Sequence, residues 1–249
     1  MSKYNRSRSP VNQPVKLPPP AVAPPLPPPP PPPPPAPVLS LPELPTTTPR
    51  RHINEWKPLP SVPWKVSLTV ASYNNPNGLG QFLYCLKAQT HDNWEAVVMH
   101  DGPGPDSRRL VDSIGDPRIR FYEREHRGAY GHPHREEGVR LCTGDVVGVT
   151  NEDNWYAPVY FEWMLHTMQA HGADFVYCNT LHSYCGWCVL DARIEPAHID
   201  CGGWLAQRAV VDGLPWRDLS YGGDWTYISD LMTRVKKHVK VPGIIFVHN

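Results

Sequence analysis

VVGVTNEDNWYAP, residues 146–158, is the stretch whose reading decides the rest. Its first five residues, VVGVT, are β-branched apart from one glycine and read as a buried strand. Two acids and two amides follow at once. Asn and Asp favour turns because their side chains bond the adjacent backbone, so the stretch is either a polar turn or the mouth of a site. The neighbouring segments separate these readings.

Ahead of it, KVSLTVA (65–71) reads as a strand, and GLGQFLYCLKAQ (78–89) places Leu79, Phe82, Leu83 and Leu86 on one helical face. WEAVVMH (94–100) is a second strand ending in Asp101-Gly102, Ser107–Ile114 a short helix, and Ile119–Glu123 a third strand. His134–Cys142 forms a helix that stops at Thr143-Gly144, and Val146–Thr150 is the fourth strand. Pro158 suits a helix start, continued by YFEWMLHTMQA (160–170), and a strand follows at Phe175–Cys178. This alternation predicts an α/β fold with a mostly parallel sheet flanked by helices, which binds ligands at the carboxyl ends of its strands. Asp101 and Asn151–Asn154 lie at such ends.

Composition sets the extent of that domain. Of the 32 prolines, 23 fall in residues 1–63, including the unbroken run Pro27–Pro35. Residues 1–63 are therefore expected to be a disordered or polyproline II tail, a ligand for a polyproline-recognising partner, with the folded domain at 64–249. The tail carries seven Lys/Arg and two Asp/Glu, leaving 17 against 22 for the rest. The folded part thus lacks the basic surplus of a nucleic-acid binder. No window approaches the roughly 18 apolar residues of a membrane span, and MSKYNRSRSP has no signal-peptide core, so a cytoplasmic location is expected. Six cysteines in so long a chain fit reduced thiols, and Cys185-Gly186-Trp187-Cys188, without a second such pair at matching spacing, is a weak zinc signal. His132-Pro133-His134 reads as loop polarity, since proline hardly continues a helix.

A dinucleotide fold is disfavoured: Gly78-Leu79-Gly80 precedes a helix, but Leu83 occupies the third glycine position and SYNNPN separates the glycines from the strand. SYNNPN also has neither Lys nor Arg, unlike the phosphate loop of a nucleotidyltransferase. Acids on two neighbouring strand ends instead suit a nucleoside and a divalent metal on a diphosphate, where the substrate's oxygens complete the metal shell.

VSLTVASYNNP, FLYCLKAQTHDNWEAVVMHDG and CTGDVVGVTNEDNWYAP, taken in order, resemble the opening of family 2 nucleotide-sugar glycosyltransferases, whose series runs strand-xxYN, helix-AQT-xx-WE, strand-DG and GD-strand-DxD-xxxxP. The resemblance covers about residues 65–249. It implies a GT-A-like nucleotide-diphospho-sugar transferase fold and inverting transfer from a nucleotide-sugar donor to a glycan, lipid-linked or other hydroxyl acceptor, with Mn2+ or Mg2+. It implies further that Ala71, Ser72, Tyr73 and Asn74 border the nucleotide, that Asp101 meets the nucleobase and Arg135 the diphosphate, and that Asn151, Glu152 and Asp153 form the DxD segment. There Glu152 would meet the ribose and Asp153 the metal, with Asn151 departing from the usual first acid. Tyr221-Gly222-Gly223-Asp224-Trp225, with Leu231 and Arg234, resembles the segment bearing the catalytic base, here Asp224. His248 resembles a late histidine that adds a metal ligand, and Asp200, Gly203, Trp204 and Trp225 fall on the sugar and acceptor side. The rival reading, a sugar-nucleotide fold weakened by Asn151 and recruited through its tail, makes the chain a binding module.

Overall fold

The computed structural model describes residues 59 and 61–249; the expected tail therefore lies almost wholly outside the described residues. The described chain begins the fold slightly ahead of Trp64, because Val62 is buried in the core and the Leu59 N–H donates to Glu162 Oε1 at 2.6 Å.

Four strands, β1 (Val66–Ser72), β2 (Trp94–Asp101), β3 (Ile119–Arg124) and β4 (Val146–Asn151), run parallel in the order β3-β2-β1-β4. They join the second half of a nine-stranded sheet: β5 (Trp155–Tyr156), β6 (Phe175–His182), β7 (Cys188–Leu190), β8 (Trp204–Gln207) and β9 (His238–His248), where pairing is mixed. β8 is antiparallel to both β4 and β6, and β6 and β9 are parallel. The short strands β5, β7 and β8 and the late β9 have no clear period-2 signal in the sequence.

Alternation within the parallel strands supplies two cores. Val66, Leu68 and Val70 of β1, with Ala96 and Val98 of β2, face α1 (Pro76–Lys87), α2 (Pro105–Ile114) and α4 (Tyr160–His171). Val97 and Met99 of β2, with Val147 and Val149 of β4, face α3 (His132–Leu141), α5 (Arg208–Val211) and α6 (Gly223–Met232). Period 2 sends alternate residues of one strand to opposite faces, and both faces are covered, so the strands are apolar almost throughout. At the start of α1, Asn75 Oδ1 accepts from the Gly78 N–H at 3.0 Å and Pro76 occupies the first turn. Gly138 lets α3 lie close on the sheet: a Cβ there would come within 2.4 Å of Thr69 Cγ2. No described helix is long and apolar enough to cross a membrane.

Two sequence expectations need correction here. Cys185 and Cys188, expected as thiols, are joined in a disulfide, while Cys85, Cys142, Cys178 and Cys201 are free. His132-Pro133-His134 is the first turn of α3 and not a loop. Proline is tolerated there because the amide it lacks has no helical partner in any case.

The amino ends of the parallel strands meet at Glu95 on β2, a buried carboxylate. It accepts from Ser67 Oγ (2.6 Å), the Thr143 N–H (2.6 Å), Lys65 Nζ (3.0 Å) and Arg120 Nη2 (3.0 Å). Burial pushes its carboxyl up, but the donors on Ser67, Thr143 and Lys65 outweigh that and hold it down at about 2. The stabilisation is therefore complete above the unfolded value of 4.5 and is lost as pH falls through about 2. Glu95→Gln is expected to cost on the order of 3 kcal/mol at neutral pH in urea denaturation. The variant should also lose less stability than the parent between pH 4.5 and about 2.

Candidate active site

The carboxyl ends of β1, β2 and β4 open on one rim, and a cavity of about 300 Å³ lies there. Ala71, Ser72, Tyr73, Asp101, Asn151, Glu152 and Asp153 all line it, together with His126, Gly128, Tyr130, Gly131 and His134 from the segment that leads into α3. The parallel register makes this gathering unavoidable: Ser72 is level with His100 on β2, and Ala71 with Asn151 on β4. Asn74, expected among these residues, is exposed and turns the chain out of β1 at φ 50, outside the cavity lining.

Asp101 is nearly buried and already fully engaged. Its Oδ1 accepts from the Arg127 N–H and from His134 Nε2, both at 2.6 Å, and Oδ2 accepts from the Gly128 N–H at 2.9 Å. Burial alone would raise its carboxyl, and these donors outweigh burial and hold it below the usual carboxylate range. The acid thus shapes the 126–131 loop that walls the cavity. Across the mouth, Tyr73 stacks on His126 with ring centroids 5.2 Å apart. Gly131, at φ 77, passes so close to β1 that a Cβ would come within 2.8 Å of Ala71 Cβ, and Ala129 and Tyr130 beside it take the left-handed conformation. Such strain in a cavity wall persists only where the surroundings enforce it.

Arg135 is 3% exposed and is not among the residues that line the cavity. Its Nη1 donates to the Tyr130 carbonyl (2.8 Å) and His132 Nδ1 (2.9 Å), and its Nη2 to Asn151 Oδ1. Asn151, at the position of the usual first acid, is therefore bonded to an internal guanidinium. The same Nη1 lies 3.9 Å from Asp224 Oδ1.

Asp224 sits in the first turn of α6 with its side chain 38% exposed, and its Oδ1 is buried with no hydrogen-bond partner among the described residues. His132 Nδ1 lies 3.5 Å from that oxygen. Because the Ser220 carbonyl can only accept, His132 Nε2 carries the proton toward it at 3.0 Å, leaving Nδ1 to accept from Arg135. Burial, reinforced by the Arg135 charge, holds His132 below the usual imidazole range. His132 Nδ1 thus has no proton to offer Asp224. Trp216 stacks on His132 at 4.9 Å and fixes its ring plane.

Glu152 is buried; Ser72 Oγ donates to its Oε2 and the Tyr73 N–H to its Oε1 at 2.7 Å. Asp153 is partly buried, with an Oδ1 that has no partner among the described residues. Burial pushes the Asp153 carboxyl up, against the charges of His248 and Arg135. Asp200 is bonded within the fold: its Oδ2 accepts from His248 Nδ1 at 2.5 Å and its Oδ1 from the Gly202 N–H at 2.9 Å. Burial disfavours a charged His248, but the bond to Asp200 and the charges of Asp200, Asp153 and Asp224 win and raise it. A divalent cation fits this donor set, since an orphaned buried carboxylate oxygen on Asp153 and the His248 imidazole are the hard and borderline ligands it takes.

Three residues expected on the sugar and acceptor side pack inward. Trp204 is 0% exposed in β8, stacked on Phe175 at 5.4 Å and near Tyr227, and so belongs to the core. Trp225 packs half-buried against the same core, and Gly203 is buried beneath Thr180 and Phe246. Tyr221, 84% exposed and three residues before Asp224, meets the exposed Tyr130 in an edge contact at 5.6 Å. Sequence reading missed these, and it missed His132 and His134. Proline at a helix start, two residues after glycine, was the available signal.

Burial first, then the charge of Asp153, raises Glu152 to about 7, against the hydrogen bonds from Ser72 and Tyr73. Between 4.5 and about 7 the folded chain keeps a proton that the unfolded chain has released, so stability falls as pH rises through that window. Glu152→Gln has no such proton to lose. Without ligand it should be more stable than the parent at pH 8 by about 1–3 kcal/mol, with little difference at pH 5, in parallel urea titrations.

Comparison with known proteins agrees with this architecture. The model of Glycosyl transferase family 2 matches residues 67–193, about half of the chain, from β1 through the segment after β7. EpsH of Bacillus subtilis strain 168 is 31% identical over 116 residues, 46% of this chain and 33% of that protein. The Escherichia coli UDP-Glc:alpha-D-GlcNAc-diphosphoundecaprenol beta-1,3-glucosyltransferase WfgD is 25% identical over 115 residues, 46% of this chain and 45% of WfgD. The chain thus spans less than half the length of these relatives. Among solved structures, S. aureus TarS 1-349 with UDP superposes with a TM-score of 0.65 at 12% identity, covering 74% of this chain and 60% of that one. The mannosyltransferase PcManGT of Pyrobaculum calidifontis, solved with GDP-Man and Mn2+, gives 0.60 at 15% identity, covering 78% and 59%. These likenesses identify the fold as GT-A, and with the family model matched across β1, β2, β4 and the cavity they build, the chain belongs to glycosyl transferase family 2.

Proposed function

We propose that the folded domain transfers a sugar from a nucleotide-diphosphate donor to an acceptor hydroxyl, with inversion at the anomeric carbon and with Mn2+ or Mg2+ on the diphosphate. The observation that carries this reading is Arg135: one buried guanidinium reaches Asn151 in the cavity wall and lies 3.9 Å from the unpartnered oxygen of Asp224. One guanidinium thereby stands between the DxD segment and Asp224. The neighbours solved with UDP and with GDP-Man and Mn2+ support a donor of this class.

An inverting displacement needs a base on one face of the anomeric carbon and stabilisation of the leaving group on the other. Asp224 takes the proton of the acceptor hydroxyl, with Arg135 and the neutral His132 beside it. The nucleoside lies in the cavity between Tyr73, His126 and the loop anchored by Asp101, with Glu152 against the ribose. Asp153 and His248 would hold the cation, which when bound offsets negative charge on the departing diphosphate. Tyr221 and Tyr130 offer flat, exposed faces to an acceptor sugar beside the base, and WfgD, whose name gives it a lipid-linked diphosphate sugar as acceptor, is one relative of that kind.

The test is a panel of UDP-, GDP- and dTDP-sugars with Mn2+ or Mg2+ present, read by thermal shift and by hydrolysis or transfer. At least one donor should raise the melting temperature and turn over. Asp224→Asn should bind that donor as the parent does while kcat falls by about 10² to 10⁴. Equal turnover would remove Asp224 from the mechanism, and a panel with neither binding nor turnover would sink the reading.

A further inference from the structure

We propose that His182, Asp200 and His248 form a metal site that takes a divalent transition metal without a nucleotide present, the proton between His248 and Asp200 leaving to solvent as the metal enters; its use in sugar transfer rests on the function proposed above, but its existence does not.

His182 closes β6 and His248 closes β9. The two strands are parallel neighbours and these residues are register partners, so their side chains leave the same face of the sheet. The two imidazoles stack with centroids 5.2 Å apart and planes 24° from parallel. Asp200, on the segment that leads into β8, brings its buried Oδ2 to 2.5 Å from His248 Nδ1 and 4.0 Å from His182 Nε2. One ligating atom from each residue lies within 4.8 Å of the others.

Two outer partners fix the set. The Gly202 N–H bonds Asp200 Oδ1 at 2.9 Å, leaving Oδ2 for the histidines. Tyr184 Oη bonds His182 Nδ1 at 2.7 Å, which leaves Nε2 on the Asp200 side. A ring nitrogen tied to an outer partner while the other faces a carboxylate is the arrangement that orients metal-binding histidine.

Ligand chemistry then sets the ion. Mg2+ takes oxygen atoms and keeps several waters, and it normally depends on substrate phosphates to complete its shell. Two imidazoles and a carboxylate favour Mn2+, Fe2+, Co2+ or Zn2+ over Mg2+. Three protein ligands also hold the ion before any diphosphate arrives, leaving positions for substrate oxygens. The unpartnered Asp153 Oδ1 belongs to a residue close enough to feel the charges of His248 and Asp200.

The decisive measurement uses the full chain, stripped with chelator and titrated with Mn2+ alone, with free Mn2+ followed by electron paramagnetic resonance. The parent should bind one equivalent with no nucleotide, and a large excess of Mg2+ should fail to displace it. His182→Ala should weaken binding by at least about tenfold, the scale at which loss of even an outer partner is felt. Asp200→Asn, which keeps the Gly202 bond, should do the same, with circular dichroism and thermal melting confirming the fold of both variants. Mn2+ held only after UDP is added, Mg2+ competing on equal terms, or both variants binding like the parent would each overturn the proposal. A UDP-, GDP- or dTDP-sugar thermal shift on the same preparations separates the two claims. A donor shift without nucleotide-free Mn2+ binding rejects the metal site and spares the transferase, and the opposite pattern spares the metal site and counts against the transferase.

Discussion

The arrangement depends on a carboxylate at the far end of the sheet from the cavity. Glu95 gathers donors from β1, from the turn before β4 and from β3 while standing on β2 itself, so one buried anion fixes the mutual register of four parallel strands. Strands that start level and rise about 3.3 Å per residue end level. Ser72, Asp101 and Asn151 therefore emerge on one rim. A slip of one residue would turn each of these side chains to the other face and bury the wrong set.

At the rim, polar groups divide by whether they already have partners. Asp101 is bound to its loop, Glu152 to Ser72 and Tyr73, and Asn151 to Arg135. Asp153 Oδ1 and Asp224 Oδ1 remain buried and unpaired among the described residues. Native structures leave few such atoms, and each that persists invites a functional explanation. Several buried polar atoms lack partners among the described residues, including Asn154 Oδ1, and Asp153 Oδ1 and Asp224 Oδ1 are the two on residues that the family resemblance assigns to metal and to base.

Much of the first half of the fold was legible. β1, α1, β2, α2, β3, β4 and α4 carry strong periodicity, and their observed limits lie within a few residues of those read from pattern. The second half was not, because β5, β7 and β8 are two to four residues long and acquire strand geometry only by pairing with β6 and β9. Spacing likewise gives no sign of which tryptophan is core: Trp204 sits in a glycine-rich segment that reads as a binding loop and is instead sealed against Phe175. Contacts such as Asp200 with His248, or His132 with Asp224, join residues that no local pattern relates.

The amide at 151 has an electrostatic effect of its own. An aspartate bonded to Arg135 would accept the same hydrogen bond but would also cancel much of the guanidinium's charge in a wall shielded from water. Asparagine keeps the bond and leaves the field intact. That positive charge, shared with Asp224 3.9 Å away, is also felt by Asp153, so the position where the family usually carries a negative group here adds no negative charge to the cavity wall.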